Sequence, residues 1–564
     1  MGHNILGFDA KVLNGILGPC IDQLLCIDTL VVSRLLNYSI GSHSLEAWGL
    51  RLNCPKTAFS DYSTLTPEMI AYCQRDVRVL HKLYEHLKPY IESPQWADAI
   101  RTELETFIAC EEMHENGFCF DKEGALELSV EIKTKLEALD ATLEKAFPPK
   151  AQLIREILPK ETKHGTLSKS DFRWLGSDDL TSFLPGCVFS LVEWVPFNPA
   201  SPKQIVERLN AAGWLPTEKT KGHVDTEKAL RYSRGEEKER LQRRLEEYRK
   251  TGWKVSEENL RTLPDTAPEA AKSLATRLIL ASRLSDLEEW LALYDENTQR
   301  IHGNFLHIGA WTQRMSHQKP NMANIPTGDP YGRDMRALWC AAPGKVLVGV
   351  DAEGIQLRVL AHYLDDPIFT DAIESGDKNQ GTDVHSLNMK ALGSVCKDRD
   401  AAKTFIYSWL LGAATPRTAK VLNCSMGAAK KARDNFLEAY PGLKHLREYQ
   451  IPEDANRGYF KGLDGRLVLC NNEHKMLSGY LQNGEAVIMK RALQHWSTHL
   501  KREKIPYNLV DFVHDEWVTE VHPEVADYVK EVQINSFAFV GQELGLKCKL
   551  TGSGSIGNNW YEVH

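Results

Sequence analysis

Much is missing from this 564-residue sequence, and each absence excludes something. No apolar run approaches the roughly 18–20 residues of a membrane-spanning helix, and no signal peptide opens the chain, so no membrane partner is expected. Twelve cysteines are scattered from Cys20 to Cys548 without one CxxC pair, which argues against a zinc ribbon or knuckle. The 19 histidines form no HExxH. Scattered thiols of this kind suit a reducing cytoplasm. No repeat of 20–50 residues is visible. Compositional bias is absent too: 42% hydrophobic and 26% charged residues exclude a disordered, collagen-like or coiled-coil chain. Excess positive charge is also lacking. The net charge of −8, taken alone, weighs mildly against a nucleic-acid partner.

What is present is length enough for three or four domains at about 150 residues each. Residues 1–100 mix short β-type runs with helical stretches such as Pro67–Pro89. Residues 101–147 read as two helices broken at Asn116-Gly117, the second being Lys122–Ala146. Residues 148–196 are punctuated by Pro, Gly and Ser and read as an insertion. Long helices return over 200–297, one highly charged (Glu236–Lys250) and one rich in Leu (Pro268–Tyr294). Strands and helices alternate from Ile301 onward.

Three segments carry chemistry. Lys345–Asp351 is a short apolar run ending in an acid, which predicts a buried strand delivering Asp351, with a helix from about Gly354. Leu509–Val521 predicts two strands joined by a tight turn with Asp515 at its tip, beside His514 and Glu516. Carboxylates on neighbouring strands can hold two Mg²⁺ ions about 3.5–4 Å apart for in-line phosphoryl transfer. A single such Asp is ordinarily a turn or helix cap. In the third segment, residues 399–412, Arg399, Lys403, Tyr407 and Leu411 recur every four residues and share one drifting helical face. That face suits a triphosphate and a sugar, although an amphipathic surface helix with Tyr407 in the core has the same pattern.

In this order, the segments resemble motifs A, B and C of the family A DNA polymerases, in particular the replicative members of T-odd phages. Motif A is Asp351–Arg358, motif B is the 399–412 helix, and motif C is His514-Asp515-Glu516. Thr312-Gln313-Arg314-Met315-Ser316, Asn324-Ile325-Pro326, Thr382-Asp383-Val384-His385, Gly462–Arg466 and Leu481-Gln482 follow the family's order. The resemblance implies an α+β right-hand fold with an RNase H-like 3′–5′ exonuclease domain truncated at its N-terminus. The implied domains are a partial exonuclease (1–100), thumb (101–300, insertion 148–196), palm (301–384 and 461–564) and fingers (385–460). It also implies templated addition of dNTPs to a primer–template DNA in the cytoplasm (of the host, for a phage protein).

By the same carry-over, Asp351, Asp515 and the Ala352 carbonyl hold two Mg²⁺ ions, with Glu516 beside them. Arg399, Lys403 and His385 grip the triphosphate, Lys403 being the general acid, and Tyr407 lies against the sugar. Arg314, Gln482, Asn324 and Arg466 meet DNA, the first two along the minor groove, where contacts test pair shape. Two positions depart from the family pattern: Gln356 stands where Glu is usual, and Leu411 where Tyr is usual. Altered ribose discrimination or lesion tolerance is the expectation there.

Asp9, Tyr72 and Asp76 resemble the second and third exonuclease motifs. The first motif, an Asp-x-Glu strand, is expected upstream of His3. Little proofreading is therefore expected unless a separate polypeptide supplies that strand or the chain starts too late. The 148–196 insertion carries six Lys/Arg and six Asp/Glu. It falls where some phage relatives bind a host processivity factor; a plain surface elaboration is the other reading. A single-subunit RNA polymerase, or a ribonucleotide-tolerant polymerase, is the alternative function.

The charge is also unevenly placed. Residues 215–255 hold twelve Lys/Arg against eight Asp/Glu, and residues 395–435 eight against three. Phosphates respond to the local field within about 8–10 Å, so the acidic total does not exclude DNA.

Overall fold

The computed structural model describes residues 1–18, 26–168, 170, 172, 183–184 and 186–564. These fall into two compact units, one formed by Met1–Lys122 with Glu289–His564, the other by Glu123–Glu288.

The larger unit is organised by a four-stranded antiparallel sheet. Val346–Ala352 lies at its centre between Glu516–Val521 and Gly552–Gly557, and Asn508–Val513 pairs outside Glu516–Val521. The long Glu473–Arg502 helix and Ala526–Glu543 pack against each other, and the latter also packs on Val346–Ala352. Their apolar faces join Val348, Val350, Trp496, Trp517 and Phe537 in one core. The Arg399–Leu410 helix enters the same core through Phe405, Ile406 and Trp409. Burial of such side chains stabilises by about 1.5–3 kcal/mol each, so the sheet end that carries the acids is firmly held.

The N-terminal part departs from expectation. Among the described residues of 1–100 there are helices (Thr29–Leu36, Leu45–Arg51, Pro67–Ile91) and one isolated bridge, Gly2 to Asp28, in place of short β-type runs. Buried Asp28 explains the helical turn at Ile5–Asp9, because its carboxylate accepts from the N–H groups of Asn4 and Leu6. The Pro94–Asn116 and Lys122–Ala146 helices occur where the Asn116-Gly117 break placed them, with Gly117 at φ 61°.

The smaller unit has its own core of Leu143, Phe147, Ile205, Leu209, Trp214 and Leu274. Within the predicted insertion, Lys150–Ile157 and Phe189–Val195 form an antiparallel pair with a largely exposed surface. The charged helix spans Gly235–Thr251 and buries only Leu245, as a solvated face should.

Candidate active site

Asp351 ends a strand whose Leu347, Val348 and Val350 are fully buried. Gly349 in that strand is required, since a Cβ there would lie 2.4 Å from the Val563 carbonyl oxygen. The two strands of motif C are joined through His514 and Asp515, with His514 at φ 51°. Register then does the rest: Glu516 stands opposite Asp351, and the Ala352 N–H donates to the Asp515 carbonyl at 2.9 Å. Asp351, Ala352, Asp515 and Glu516 thus meet at one end of the sheet.

Burial pushes the Asp351 carboxyl up to about 7, with the Asp515 and Glu516 charges adding to it. Asp515 is pushed up to about 6 by burial, then by Glu485. Crowded carboxylates resist ionising together, and a divalent cation between them relieves that repulsion. Two hard oxygen-bearing side chains with a main-chain carbonyl alongside fit Mg²⁺ in kind. Glu516 is already partnered, because Trp560 Nε1 donates to it at 3.1 Å and His564 Nδ1 lies 2.8 Å from its other oxygen.

The cationic helix begins at Asp398, whose carboxylate accepts from the Ala401 N–H at 2.7 Å. Arg399 donates through Nε and Nη2 to Asp383 at 3.0 and 2.7 Å. Asp383 in turn caps the Val384–Leu392 helix. Burial would raise its carboxyl, but Arg399 and Ser386 pull it down to about 2. His385, on that second helix, has its ring 6.0 Å from Tyr407, and burial followed by the Arg399 charge lowers its pKa. Lys403 is exposed and makes no ion pair among the described residues. Burial, then the Asp515 charge, raises the Tyr407 hydroxyl. The helix closes at Leu410, leaving Leu411 as a 58% exposed cap.

Of the expected DNA-facing residues, Asn324 is exposed at the end of a short turn, and Gln482 is half-buried on Glu473–Arg502. Arg314 donates to Glu485 at 2.5 Å. Arg466 is a correction. Its guanidinium is wholly buried and donates to Asp464, to Glu103 at 2.6 Å and to Gln313 at 2.9 Å, so no face remains for a phosphate. Ion pairing in the interior has captured it.

That interior network also contains Lys490, which donates to both Glu103 oxygens at 2.8 Å and to the His307 and Gln313 carbonyls. It therefore fixes the backbone next to Arg314. Burial alone would raise the Glu103 carboxyl, but Lys490 and Arg466 hold it well below the usual carboxylate range. Glu103→Gln should cost about 3–5 kcal/mol in urea unfolding at neutral pH, because buried cations lose their partner. With the folded pKa below the unfolded value of about 4.3, this contribution is present above that pH and lost as pH falls. The gap between wild type and variant should narrow on acidification; a gap that widens contradicts the assignment.

The exonuclease-like residues are not gathered in the same way. Lys56 pairs with Asp76 at 2.7 Å and lies over the Tyr72 ring, while Asp9 is exposed before the Ala10–Leu17 helix.

A family model for DNA polymerase family A matches residues 186–562. The chain belongs to DNA polymerase family A. Among its relatives are the DNA-directed DNA polymerases of Enterobacteria phage T3 and Escherichia phage T7, each 27% identical over 96% of this chain and 88% of the phage protein. In fold it is similar to the POL domain of Pol1 from M. smegmatis, solved in complex with DNA primer-template and dNTP. The TM-score is 0.66 at 18% identity, covering 95% of this chain and 82% of that one. No helix among the described residues is long and apolar enough to cross a membrane.

Glu485, Glu103 and Lys490 were missed in the sequence. Glu485 alone left a signal, three residues after Gln482 and so on its helical face.

Proposed function

We propose that this family A chain, a DNA-directed DNA polymerase, extends a primer 3′-OH on a DNA template by two-metal nucleotidyl transfer from a dNTP. The observation that carries the reading is the strand register that sets Asp351 beside the Asp515 turn. Asp351, Asp515 and the Ala352 carbonyl would hold two Mg²⁺ ions, which would supply activation of the primer hydroxyl and neutralisation of charge on the departing oxygen.

The chain's own groups do the rest. Arg399, kept in place by Asp383, and His385 bind the triphosphate. Lys403, with no ion-pair partner among the described residues, gives a proton to departing pyrophosphate. Tyr407 stacks on the sugar, Glu516 supports the hairpin from behind, and Arg314, Gln482 and Asn324 follow the DNA. The thumb is read as 101–300, the fingers as 385–460 and the palm as 301–384 with 461–564. Primer extension with Mg²⁺ and dNTPs tests the reading, which does not survive if Asp515→Ala extends primers as well as wild type.

A ribonucleotide-tolerant polymerase is the second reading. It is favoured by Leu411, which carries no side-chain hydroxyl where Tyr is usual and lies exposed past the last turn of its helix. Comparable kcat/KM for rNTPs and dNTPs would establish it.

Residues 1–100 are read as exonuclease-like without proofreading activity. The Lys56 pairing supports this, since Asp76 already has a cation partner in the side chain of Lys56. A 3′-mispaired, end-labelled primer should stay intact in the absence of dNTPs; its shortening by the purified chain would overturn the point.

The insertion is read as a docking site for a processivity factor. Leu153, Ile154 and Trp194 are exposed on its paired strands, apolar surface that no described residue covers. Deleting residues 150–190 should shorten products per binding event in the partner's presence, and unchanged lengths would count against docking.

A further inference from the structure

Glu485 is a buried carboxylate in the middle of the Glu473–Arg502 helix. One oxygen, Oε2, accepts from Arg314 Nη2 at 2.5 Å and from Gln356 Nε2 at 2.9 Å. Its other oxygen, Oε1, is buried without a hydrogen-bond partner among the described residues. The three groups come from three separate segments: the loop between the Asn304–Leu306 and Ser316–Gln318 strands, the first turn of Ile355–Leu364, and the long helix. Asp515 lies close enough for the Glu485 charge to act on it.

This geometry constrains Gln356 in a way its own position does not. Glu485 Oε2 is the acceptor for both donors, so the amide turns its NH2 toward Glu485. The Gln356 Oε1 then faces away from Glu485, and it makes no hydrogen bond among the described residues. Glutamine has three rotatable side-chain bonds, so without this anchor it would sample several orientations. Arg314 is fixed by the same oxygen, so the side chain read as following the primer end and the one read as meeting the sugar share one support.

We infer that Glu485 is a positioning residue for sugar selection, clamping Gln356 against the C2′ side of the incoming nucleotide and holding Arg314 beside it. The inference rests on the polymerase reading above. In effect, the carboxylate usual at the position of Gln356 is supplied here from a different helix, one side chain further from the substrate. Gln356 makes the contact and Glu485 decides where that contact is.

The test is the ratio of kcat/KM for dNTP over rNTP in single-nucleotide insertion with the full chain. Glu485→Ala should lower the ratio by about tenfold or more, the scale of one specificity contact. Glu485→Gln, which keeps an acceptor oxygen in place, should recover most of it. Gln356→Ala should lose the same discrimination, and the Gln356→Ala/Glu485→Ala double variant should lose no more than either alone. Should Glu485→Ala fail to fold, Glu485→Met retains the volume without the acceptor and carries the same prediction. A ratio within about twofold of wild type for folded Glu485→Ala or Glu485→Met overturns the inference, as do losses that multiply in the double variant. Extension with dNTPs and an unmoved ratio contradicts the role of Glu485 alone. No extension by the wild-type chain with any nucleotide contradicts the polymerase reading instead.

Discussion

Asp351→Asn should reduce the single-turnover rate of nucleotide addition by at least about 10³-fold, while affinity for primer–template DNA changes only a few-fold. The size follows from the charge. Asp351 ends the central strand with Asp515 next to it, and each carboxylate is costly to ionise in the absence of cations. Removing one halves the formal negative charge available to two divalent ions. Lost stabilisation of about 4 kcal/mol at the transition state corresponds to that rate. DNA affinity should survive, because phosphate contacts arise from cationic segments such as residues 215–255 and 395–435. Rapid-quench insertion with saturating DNA measures the first quantity and a fluorescence anisotropy titration the second. A rate loss below tenfold would place the metal site elsewhere.

Lys403→Ala is expected to have the next largest effect, about 10²–10⁴-fold on kcat, the range of general acid catalysis. Lys403 lies one helical turn after Arg399 and is exposed on the face shared with Tyr407. Arg399 is committed to Asp383, so Lys403 is the side chain on this face free to follow charge as it develops. Lys403→Arg separates the two roles a cation could have. Arginine keeps the positive charge but cannot give up its proton at useful pH. If Lys403 donates a proton, Arg should restore nucleotide affinity and leave kcat low. Full recovery of kcat by Arg would show that charge alone matters.

How much of this was legible in the sequence depended on how local each signal was. Asp351 and Asp515 could be placed because an apolar run and a turn act over a few residues, and the strand register then brings them together. The Arg399–Leu410 helix was legible from its four-residue spacing, except at its end, where Leu411 falls outside the last turn. Arg466 was misjudged because its family position suggested DNA, whereas its partner Glu103 lies 363 residues away in sequence and became visible only in the packed interior. Lys490 and Glu103 are separated by 387 residues and Arg314 and Glu485 by 171, distances over which no periodicity operates. Among the described residues near the N-terminus, a helical turn stands at Ile5–Asp9 where Asp28, 22 and 24 residues away, accepts from the Leu6 and Asn4 N–H groups. Local pattern revealed the chemistry-bearing tips, while long-range charge pairing determined what supports them.

The central claim is templated synthesis at the Asp351–Asp515 end of the sheet. The most direct measurement is single-nucleotide insertion on four primer–templates that differ only in the first unpaired template base, each offered all four dNTPs separately with Mg²⁺. The account predicts insertion of the complementary nucleotide on each template, abolished by chelation and by Asp515→Ala. Addition that ignores the template base, or that persists in Asp515→Ala, would contradict it.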